Sequence, residues 1–575
     1  MQLRVALRLP LAAVVLAAAA TFATGCTCRC APREGPGDSG LGEPCNAGAR
    51  RCVLDTVEIC QNGAWAVSET CVAPDMCAGG VCGGPCEVAE ATRSYIGCHY
   101  YAVDLHNWDA LSPGSLYIPQ DAQFAVVVSA AEDVKGAINV NIYSVWGGPE
   151  TVVASGSVFA GSTTVFNLPP DQGIAGPGTT PAAYRIEATA PITAYQFNPL
   201  NNTEQAFSND ASLLLPVHVL DTSYLAVTTD GIGPQPFAMV GPETAFVTVV
   251  ATEDNTNVTI TPTAPLRAGP GIPGGLTPVT ATLNRYDVLN VESDVPQDSI
   301  GGQLSGTRVD ASAPVAVFSG TVCSNMPPQI GVCCCDHTEE QVIPLSAWGE
   351  EFVVARAAPL RPANPEANYY RIVGGANGVT LSYLPATPPG APTTLNQGDS
   401  VEFGATESFT VVSTGGPILV TQFLPSSTEV GTGGQFCTVD ADCMGLGFPA
   451  GCFVDPMFGL GQCVPVSDPA MLIIPPVEQW RSSYVFLTPA DYANDFATII
   501  APQGASVMLD GAPVTGFAPV STVNGAPYDA ATVALADGTH SVESAVPVAV
   551  LVYGFDLFVS YSYAAGLNIE QIYIE

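Results

Sequence analysis

Short apolar runs, separated by polar and turn-forming residues, follow one another along most of the chain. One run comes directly after a proline and recurs four times: Pro191-Ile-Thr-Ala-Tyr-Gln-Phe197, Pro314-Val-Ala-Val-Phe-Ser-Gly320, Pro417-Ile-Leu-Val-Thr-Gln-Phe423 and Pro547-Val-Ala-Val-Leu-Val-Tyr553. Because it is apolar on both faces, it predicts a strand buried in the middle of a sheet. We call it the closing strand, since it ends each of four repeated units.

A second pattern opens the units. It consists of a proline, a large apolar residue four positions later and an aromatic residue four positions after that, as in Pro216/Leu220/Tyr224, Pro344/Trp348/Phe352 and Pro476/Trp480/Tyr484. The first unit departs from this spacing, because Pro119 leads into Phe124-Ala-Val-Val-Val128 without it. Further short apolar runs lie between the two patterns, and helical periodicity is nearly absent.

These patterns predict an all-β fold. About six short strands per unit, with turns roughly every 8–12 residues, are typical of β-sandwiches and of propeller blades. We therefore expect tandem Greek-key, β-sandwich-like repeats that pack against one another, together with small disulfide-rich modules. A propeller-like ring is the alternative, because repeats of this kind must bury one another's sheet edges.

The chain has 575 residues, which is too long for one hydrophobic core. The patterns divide it into eight segments: a signal peptide at 1–25, a lipidated tether at 26–44, a six-cysteine disulfide module at 45–82, β repeats at 86–200, 213–323 and 341–425, a four-cysteine insert at 437–463 and a fourth β repeat at 472–575.

The N-terminal segment has the order of a signal peptide. Arg4 and Arg8 precede an apolar run over residues 9–20, and small residues then lead to Cys26. This ending resembles a bacterial lipobox, although Ala23 stands where leucine is usual. We expect Cys26 to be lipidated and, because no aspartate follows it, the protein to reside in the outer membrane. Ordinary secretion, with Cys26 in a disulfide, is the alternative.

Charge limits the partners. The chain carries 16 basic and 53 acidic residues, a formal net charge of −37, and its one lysine is Lys135. Such a chain repels phosphate backbones, so we expect no nucleic-acid partner. No run of 18 apolar residues follows the signal peptide, so a lipid would be the only membrane anchor.

Nineteen cysteines fit an exported, disulfide-bonded protein, since 18 remain if Cys26 is lipidated. Two of these, Cys28 and Cys30, lie in the tether. The candidates for structural disulfides are Cys45, Cys52, Cys60, Cys71, Cys77, Cys82, Cys86, Cys98, Cys323, Cys333, Cys334, Cys335, Cys437, Cys443, Cys452 and Cys463. A zinc site within 45–82 is disfavoured, because this module has neither histidine nor Cys-x2-Cys spacing. The carboxylates of the insert leave calcium open, with a solvated disulfide loop as the favoured interpretation.

The stretch from 317 to 356 joins two units and contains the one Cys-Asp-His run, at residues 335–337. His337, with Glu339, Glu340 and nearby cysteines, could bind zinc or act as a base. We favour a structural corner between repeats, formed by Asp336, His337 and Trp348. Motifs of serine hydrolases, zinc proteases and phosphate-binding loops are missing from the sequence. We therefore expect no catalytic residues, no metal and no cofactor.

From Cys86 onward the chain resembles the N-terminal domain of IgG-Fc-binding proteins. The resemblance rests on Gly97-Cys98, Tyr101-Ala-Val-Asp-Leu105, Phe124-Ala-Val-Val-Val128, Leu304-Ser-Gly-Thr-Arg308, Pro314-Val-Ala-Val-Phe-Ser-Gly320, Cys335-Asp-His337, Glu340-Gln341 and Pro344-Leu-Ser-Ala-Trp-Gly349. It implies extracellular binding or adhesion rather than catalysis. The consecutive cysteines at 333–335 depart from the family and leave the partner of Cys323 open.

The lipobox and the cysteine modules resemble those of myxobacterial surface lipoproteins, which makes IgG an unexpected natural ligand. The sequence thus predicts a non-enzymatic cell-surface lipoprotein that binds an extracellular protein or glycan. The alternative from another class is a metal-dependent extracellular hydrolase centred on His337.

Overall fold

The structure is a computed structural model. It describes residues 45–573 except for 73–74, 79, 110–117, 131–135, 170–171, 201–206, 236–241, 330–334, 362–363, 427–434, 445, 447–449, 455–458 and 491. The predicted signal peptide and tether, with Cys26, Cys28 and Cys30, lie outside the described residues, as do Cys333 and Cys334.

A small module precedes the repeats. Its elements are β1 (Arg50–Val53), β2 (Thr56–Gln61), β3 (Ala64–Thr70), β4 (Met76–Ala78), β5 (Val81–Gly83) and the helix α1 (Pro85–Glu90). Three disulfides join Cys45 to Cys60, Cys52 to Cys77 and Cys71 to Cys82. A chain segment this short buries too little apolar surface to fold alone, so these bridges stabilise it.

Four β units follow. The first contains β6 (Gly97–Ala102), β7 (Ala125–Ser129), β8 (Ala137–Ser144), β9 (Thr151–Phe159), β10 (Thr163–Asn167), β11 (Gly178–Thr180), β12 (Tyr184–Asn198) and β13 (Asp210–Leu213). The second contains β14 (Asp221–Leu225), β15 (Gly231–Ile232), β16 (Ala245–Ala251), β17 (Thr256–Thr261), β18 (Val279–Leu283), β19 (Val288–Glu292), β20 (Ile300–Gly301), β21 (Arg308–Ser324) and β22 (Asp336–Gln341).

The third unit contains β23 (Glu351–Val354), β24 (Asn368–Gly374), β25 (Val379–Leu384), β26 (Thr394–Leu395), β27 (Ser400–Ala405), β28 (Phe409–Thr414) and β29 (Ile418–Phe423). The insert contains β30 (Phe436–Cys437), β31 (Ala450–Val454) and β32 (Gly461–Pro465), and β33 (Met471–Ile473) then returns to the third unit. The fourth contains β34 (Arg481–Thr488), β35 (Asn494–Pro502), β36 (Val507–Leu509), β37 (Ala512–Pro513), β38 (Ala518–Val523), β39 (Ala526–Leu535), β40 (Gly538–Asp556) and β41 (Val559–Ala564).

Short 3-10 helices complete the secondary structure. They span Pro119–Asp121, Val217–Val219, Leu345–Ala347, Asp440–Cys443 and Val477–Gln479. Together these elements confirm the predicted all-β fold class.

Each unit is built around two antiparallel sheets that share its closing strand, and β11 pairs with β19 of the second unit. In the first unit, the first half of β12 pairs with β6 and β8, and its second half pairs with β7 and β13. β21 and β40 divide in the same way. The division falls at the proline of the closing-strand pattern, because proline cannot donate a ladder hydrogen bond. In the third unit Gly415, with φ of +89°, and Gly416 separate the two halves into β28 and β29.

A buried tyrosine fixes the bend of the closing strand in three units. Its hydroxyl donates to the carbonyl of the residue after the proline, at 2.5–2.8 Å: Tyr100 to Ile192, Tyr224 to Val315 and Tyr484 to Val548. The third unit has Phe352 at this position of the opening pattern, and it is the unit whose closing strand is split in two.

In each unit one strand at a sheet edge, paired with the closing strand, lies at the centre of the molecule. We call these four strands, β13, β22, β33 and β41, the inner strands. β13 contacts β22 and β41, and β33 also contacts β22 and β41. The four units therefore close into a ring, and one buried apolar cluster runs through all of them. Sandwich-like pairs of sheets and ring closure, which the sequence offered as alternatives, coexist in this architecture.

Chain connectivity joins three neighbouring pairs of units, because each of the first three inner strands continues into the next opening strand. The fourth junction is not covalent. There the segment 565–573 lies against the start of the first unit: the Tyr95 amide donates to Leu567 O at 3.1 Å, and the Ile569 amide donates to Arg93 O at 2.9 Å. The same segment reaches the third unit, where the Ile572 amide donates to Ser346 O at 2.8 Å.

Candidate functional site

The four inner strands form a hub with buried carboxyl groups. On its inner side each inner strand is a sheet edge, whose amides need acceptors away from water. The carboxyl group of Asp210 accepts hydrogen bonds from four such amides. Its Oδ1 accepts from the amides of Ala211 at 2.9 Å and Ser562 at 3.1 Å, and its Oδ2 accepts from those of Glu339 and Met471, both at 3.1 Å. One side chain thus connects all four inner strands.

Asp336, predicted as part of an inter-repeat corner, plays a similar role. Its Oδ1 accepts from the amides of Asn209 at 2.5 Å and His337 at 2.9 Å, and its Oδ2 accepts from the amide of Ser560 at 2.9 Å. Burial raises the pKa of Asp336 well above its ordinary range, and the neighbouring Asp468 carboxyl adds to this rise. The group therefore connects inner strands by accepting hydrogen bonds from their backbone amides.

Glu340 continues the pattern. Its Oε2 accepts from the Ser212 hydroxyl at 3.0 Å and its Oε1 from the Ile473 amide at 3.4 Å. The Ser212 hydroxyl oxygen in turn accepts from the Gln341 amide at 2.7 Å. Burial, and then the proximity of Asp210, raises the pKa of Glu340 well above its ordinary range. The hub is thus a hydrogen-bonded structural network.

His337 is wholly enclosed within the hub, with a relative exposure of 0%. Its ring stacks on Phe246, with centroids 5.7 Å apart. Nδ1 lies 3.3 Å from Val322 O, which can only accept, so Nδ1 carries the ring proton. Nε2 lies 3.2 Å from Glu339 Oε2 and is left as an acceptor, which requires a protonated carboxyl opposite it.

The pKa shifts agree with this tautomer. Burial lowers the pKa of His337 to about 3 and raises the pKa of Glu339 to about 8. At neutral pH both groups are therefore mostly uncharged, and Glu339 donates to the imidazole. Glu339 also accepts from Gln196 Nε2 at 3.0 Å and from Asn198 Nδ2 at 3.4 Å. A neutral, enclosed imidazole cannot meet a substrate or a solvent-borne metal ion.

Trp348 lies apart from this pair, at the end of the 3-10 helix Leu345–Ala347. It is 1% exposed, and its indole N–H donates to Ile343 O at 3.0 Å. In the fourth unit the indole of Trp480 donates to Pro475 O at 3.1 Å, at the same place in the pattern. The structure thus brings Asp336 and His337 together and gives Trp348 a separate packing role.

Eight further predicted cysteines, all among the described residues, are paired. Disulfides join Cys86 to Cys98, Cys323 to Cys335, Cys437 to Cys452 and Cys443 to Cys463. Among the residues described, Cys437, Cys443 and Cys463 are the one group with three metal-ligand atoms close together, and these sulfurs are held in disulfides. As disulfides they are not the thiolates that bind zinc.

The carboxylate of Asp442 in the insert is engaged within its own turn. Its Oδ2 accepts from the amide of Thr438 at 2.7 Å, from the hydroxyl of the same residue at 2.9 Å and from the amide of Val439 at 3.2 Å. These bonds cap the 3-10 helix Asp440–Cys443 and lower the pKa of Asp442. The local geometry thus engages one oxygen of this carboxylate within the turn.

A concave polar surface lies elsewhere, where the first and second units meet. This cleft is partly open and has a volume of about 190 Å3; its walls include His106, Trp108 and Asp109 from the first unit and Pro242, Glu243 and Arg267 from the second. Bonds between the units hold these walls: His106 Nδ1 lies 2.7 Å from Glu292 Oε1, and Asn290 Nδ2 donates to Gly176 O at 2.9 Å.

Sequence reasoning missed the hub role of Asp210 and the cleft residue Glu243. Asp210 stands in a short polar stretch, and nothing local indicates that three distant strands will surround it. The amide-accepting role of Asp336 was missed for the same reason, because its partners Asn209 and Ser560 lie far away along the chain. A signal was present in β22, where six consecutive polar residues lie between a predicted buried strand and the next opening pattern.

Comparison with known proteins gives two matches. A family profile described as "IgGFc binding protein" matches residues 210–554, which extend from the first inner strand to the last closing strand. The human "IgGFc-binding protein" is 25% identical over 367 residues, which are 62% of this chain and 6% of the human protein. No solved structure matches.

Proposed function

The chain belongs to the IgGFc-binding protein family, and we propose that it is a non-catalytic module that binds an extracellular protein or glycan at the cell surface. The family match carries this proposal, because it spans three of the four units and is described as a binding protein. The disulfides support an oxidising, extracytoplasmic setting, since thiols are kept reduced in most cytosols.

The ligand is a separate question. The human relative is named for binding the Fc region of IgG, and this chain spans 6% of that relative's length. We do not propose IgG as the natural ligand, because the N-terminal pattern resembles that of bacterial lipoproteins. The test immobilises the full chain without reducing agent and offers it whole-cell extract, extracellular matrix extract and IgG Fc separately.

We expect the folded chain to retain a component that a reduced, unfolded control does not retain. It should come from the cell or matrix extract. If neither extract yields a component that the folded chain retains better than the control, the binding function is overturned. If the chain instead retains Fc alone, the binding function stands, but the ligand does not come from the cell or matrix extract.

We further propose that a lipid on Cys26 anchors the module in the outer membrane. Among the described residues no helix is long and apolar enough to cross a bilayer. If the lipid on Cys26 is the anchor, Cys26→Ala should move the protein from the membrane fraction to the soluble fraction. A variant that stays with the membranes after an alkaline wash would refute the anchor.

A hydrolase centred on His337 is the competing function. It requires an imidazole that reaches a metal or a substrate, whereas this ring is enclosed and has both nitrogens engaged. Metal content measured by mass spectrometry on protein purified without reductant separates the two. Stoichiometric zinc in the natural protein that is lost in His337→Ala would favour the hydrolase.

A further inference from the structure

We infer that the cleft between the first and second units binds a neutral, polyhydroxylated ring the size of one sugar residue. The inference rests on the proposed binding function and names the chemistry of one ligand site. It starts from two side chains in the cleft wall that are almost fully buried and yet incompletely hydrogen-bonded.

These side chains are His106 and Glu243, which are 6% and 5% exposed. Within the described part of the chain, His106 Nε2 and Glu243 Oε2 have no hydrogen-bond partner. Buried polar atoms nearly always have one, since leaving them unpaired destabilises the fold. Both residues line the cleft, so a group bound there is positioned to satisfy both atoms.

The ionic groups of the cleft are largely engaged with one another. Glu292 is fully buried and meets His106 Nδ1 with one oxygen and Arg267 Nη1, at 2.5 Å, with the other. Burial raises the pKa of Glu243 to about 8, so its carboxyl mostly keeps its proton at neutral pH. A protonated carboxyl donates and accepts, and a hydroxyl does the same.

Charged ligands fit this site less well. An anion would meet the exposed Asp109 and a chain whose net charge is −37. A cation would lie near Arg267 and would have to remove the proton from Glu243. A neutral ring with adjacent hydroxyl groups meets the two unpaired atoms without a net change of charge.

The size of the cleft sets the extent of the ligand. Its 190 Å3 is below the roughly 300–1,000 Å3 of sites for drug-sized molecules, so one ring fits and a longer chain must extend outside. Trp108 is a half-buried residue of the cleft lining, and its large aromatic side chain supplies apolar surface for the C–H groups of such a ring. The two unpaired polar atoms and the aromatic residue in the lining match the two kinds of surface, hydroxyl and C–H, that a sugar presents.

The test presents the full chain, without reducing agent, to immobilised neutral sugars (glucose, galactose, mannose, fucose and N-acetylglucosamine). Sialic acid and glucosamine are included as anionic and cationic probes. We expect binding to at least one neutral sugar in preference to both charged ones. Glu243→Leu and Trp108→Ala should each weaken it tenfold or more, whereas the exposed Glu253→Gln should leave it unchanged.

Glu243→Gln is the informative second variant, because an amide also donates and accepts and has nearly the same shape. It should retain affinity within about threefold if the ligand is neutral. Preference for glucosamine together with loss in Glu243→Gln would indicate a cationic ligand and overturn the inference. Melting temperatures of the variants show that each one folds.

The outcome separates this inference from the proposed function. If the extracts yield a retained component but no neutral sugar binds, or if Glu243→Leu leaves sugar binding unchanged, the cleft assignment is wrong and the binding function stands. If the extracts yield nothing, the binding function itself is wrong.

Discussion

Replacing Glu339 by glutamine isolates the effect of its buried carboxyl on stability. Burial raises the pKa of this carboxyl from 4.5 to about 8, so between these pH values the folded chain holds a proton that the unfolded chain releases. The stability of the natural protein therefore falls as the pH rises through this window. A difference of one pKa unit corresponds to about 1.4 kcal/mol, so the full change is about 5 kcal/mol.

Glutamine removes this dependence while it keeps most contacts. Its amide can donate to the imidazole of His337 and accept from Gln196, but it loses the 3.4 Å bond from Asn198 at a cost of about 1 kcal/mol. At pH 5 we expect Glu339→Gln to be slightly less stable than the natural protein. At pH 8 we expect it to be more stable by about 3–4 kcal/mol.

The assay is urea unfolding at pH 5, 6, 7 and 8, followed by near-ultraviolet circular dichroism. The exposed Glu253→Gln serves as a control for the change in charge. Infrared spectroscopy supplies an independent readout, because the band of a protonated carboxyl should weaken in Glu339→Gln. Parallel stability curves for the variant and the natural protein across this range would show that Glu339 is ionised in the fold, and would refute the neutral pair.

Three further predictions concern packing and covalent structure. Tyr224→Phe should lower the free energy of unfolding by about 1–3 kcal/mol, because it leaves the carbonyl at the closing-strand bend unpaired, and a loss below about 0.5 kcal/mol would contradict the role of the hydroxyl. Trp348→Ala should cost about 3–5 kcal/mol in thermal or urea unfolding; an unchanged midpoint would exclude a packing role. Peptide mapping without reduction should recover Cys323 joined to Cys335, and a different partner for either would show that the adjacent cysteines compete.

The strands of the repeats were predictable because their signals are local. The closing strand is apolar on both faces, and its proline marks the bend at which it passes from one sheet to the other. The opening pattern also corresponds to one local structure, since the indoles of Trp348 and Trp480 each donate to the carbonyl oxygen five residues earlier in the chain.

A ring was one of the two architectures that the sequence offered, but the strands that close it and the hub that they form were not predictable from local signals. The run from Asp336 to Gln341 is entirely polar and would be exposed in an isolated unit. It is buried because strands from the other units cover it and supply the amides that its carboxyls accept. Such contacts join positions hundreds of residues apart, as when the Tyr195 hydroxyl donates to Ala565 O at 2.9 Å, and no periodicity encodes them.

The non-covalent fourth junction has a consequence for synthesis. The strands of the first unit emerge early when the chain is exported from its N-terminus, but their partner, residues 565–569, emerges only after the other three units. Until then the first unit presents an uncovered flank, and the disulfides of the small module can already have formed beside it. Completion of the ring is thus a late, long-range event. A circular permutant that linked residue 569 to residue 93 and began between two other units would make that contact local.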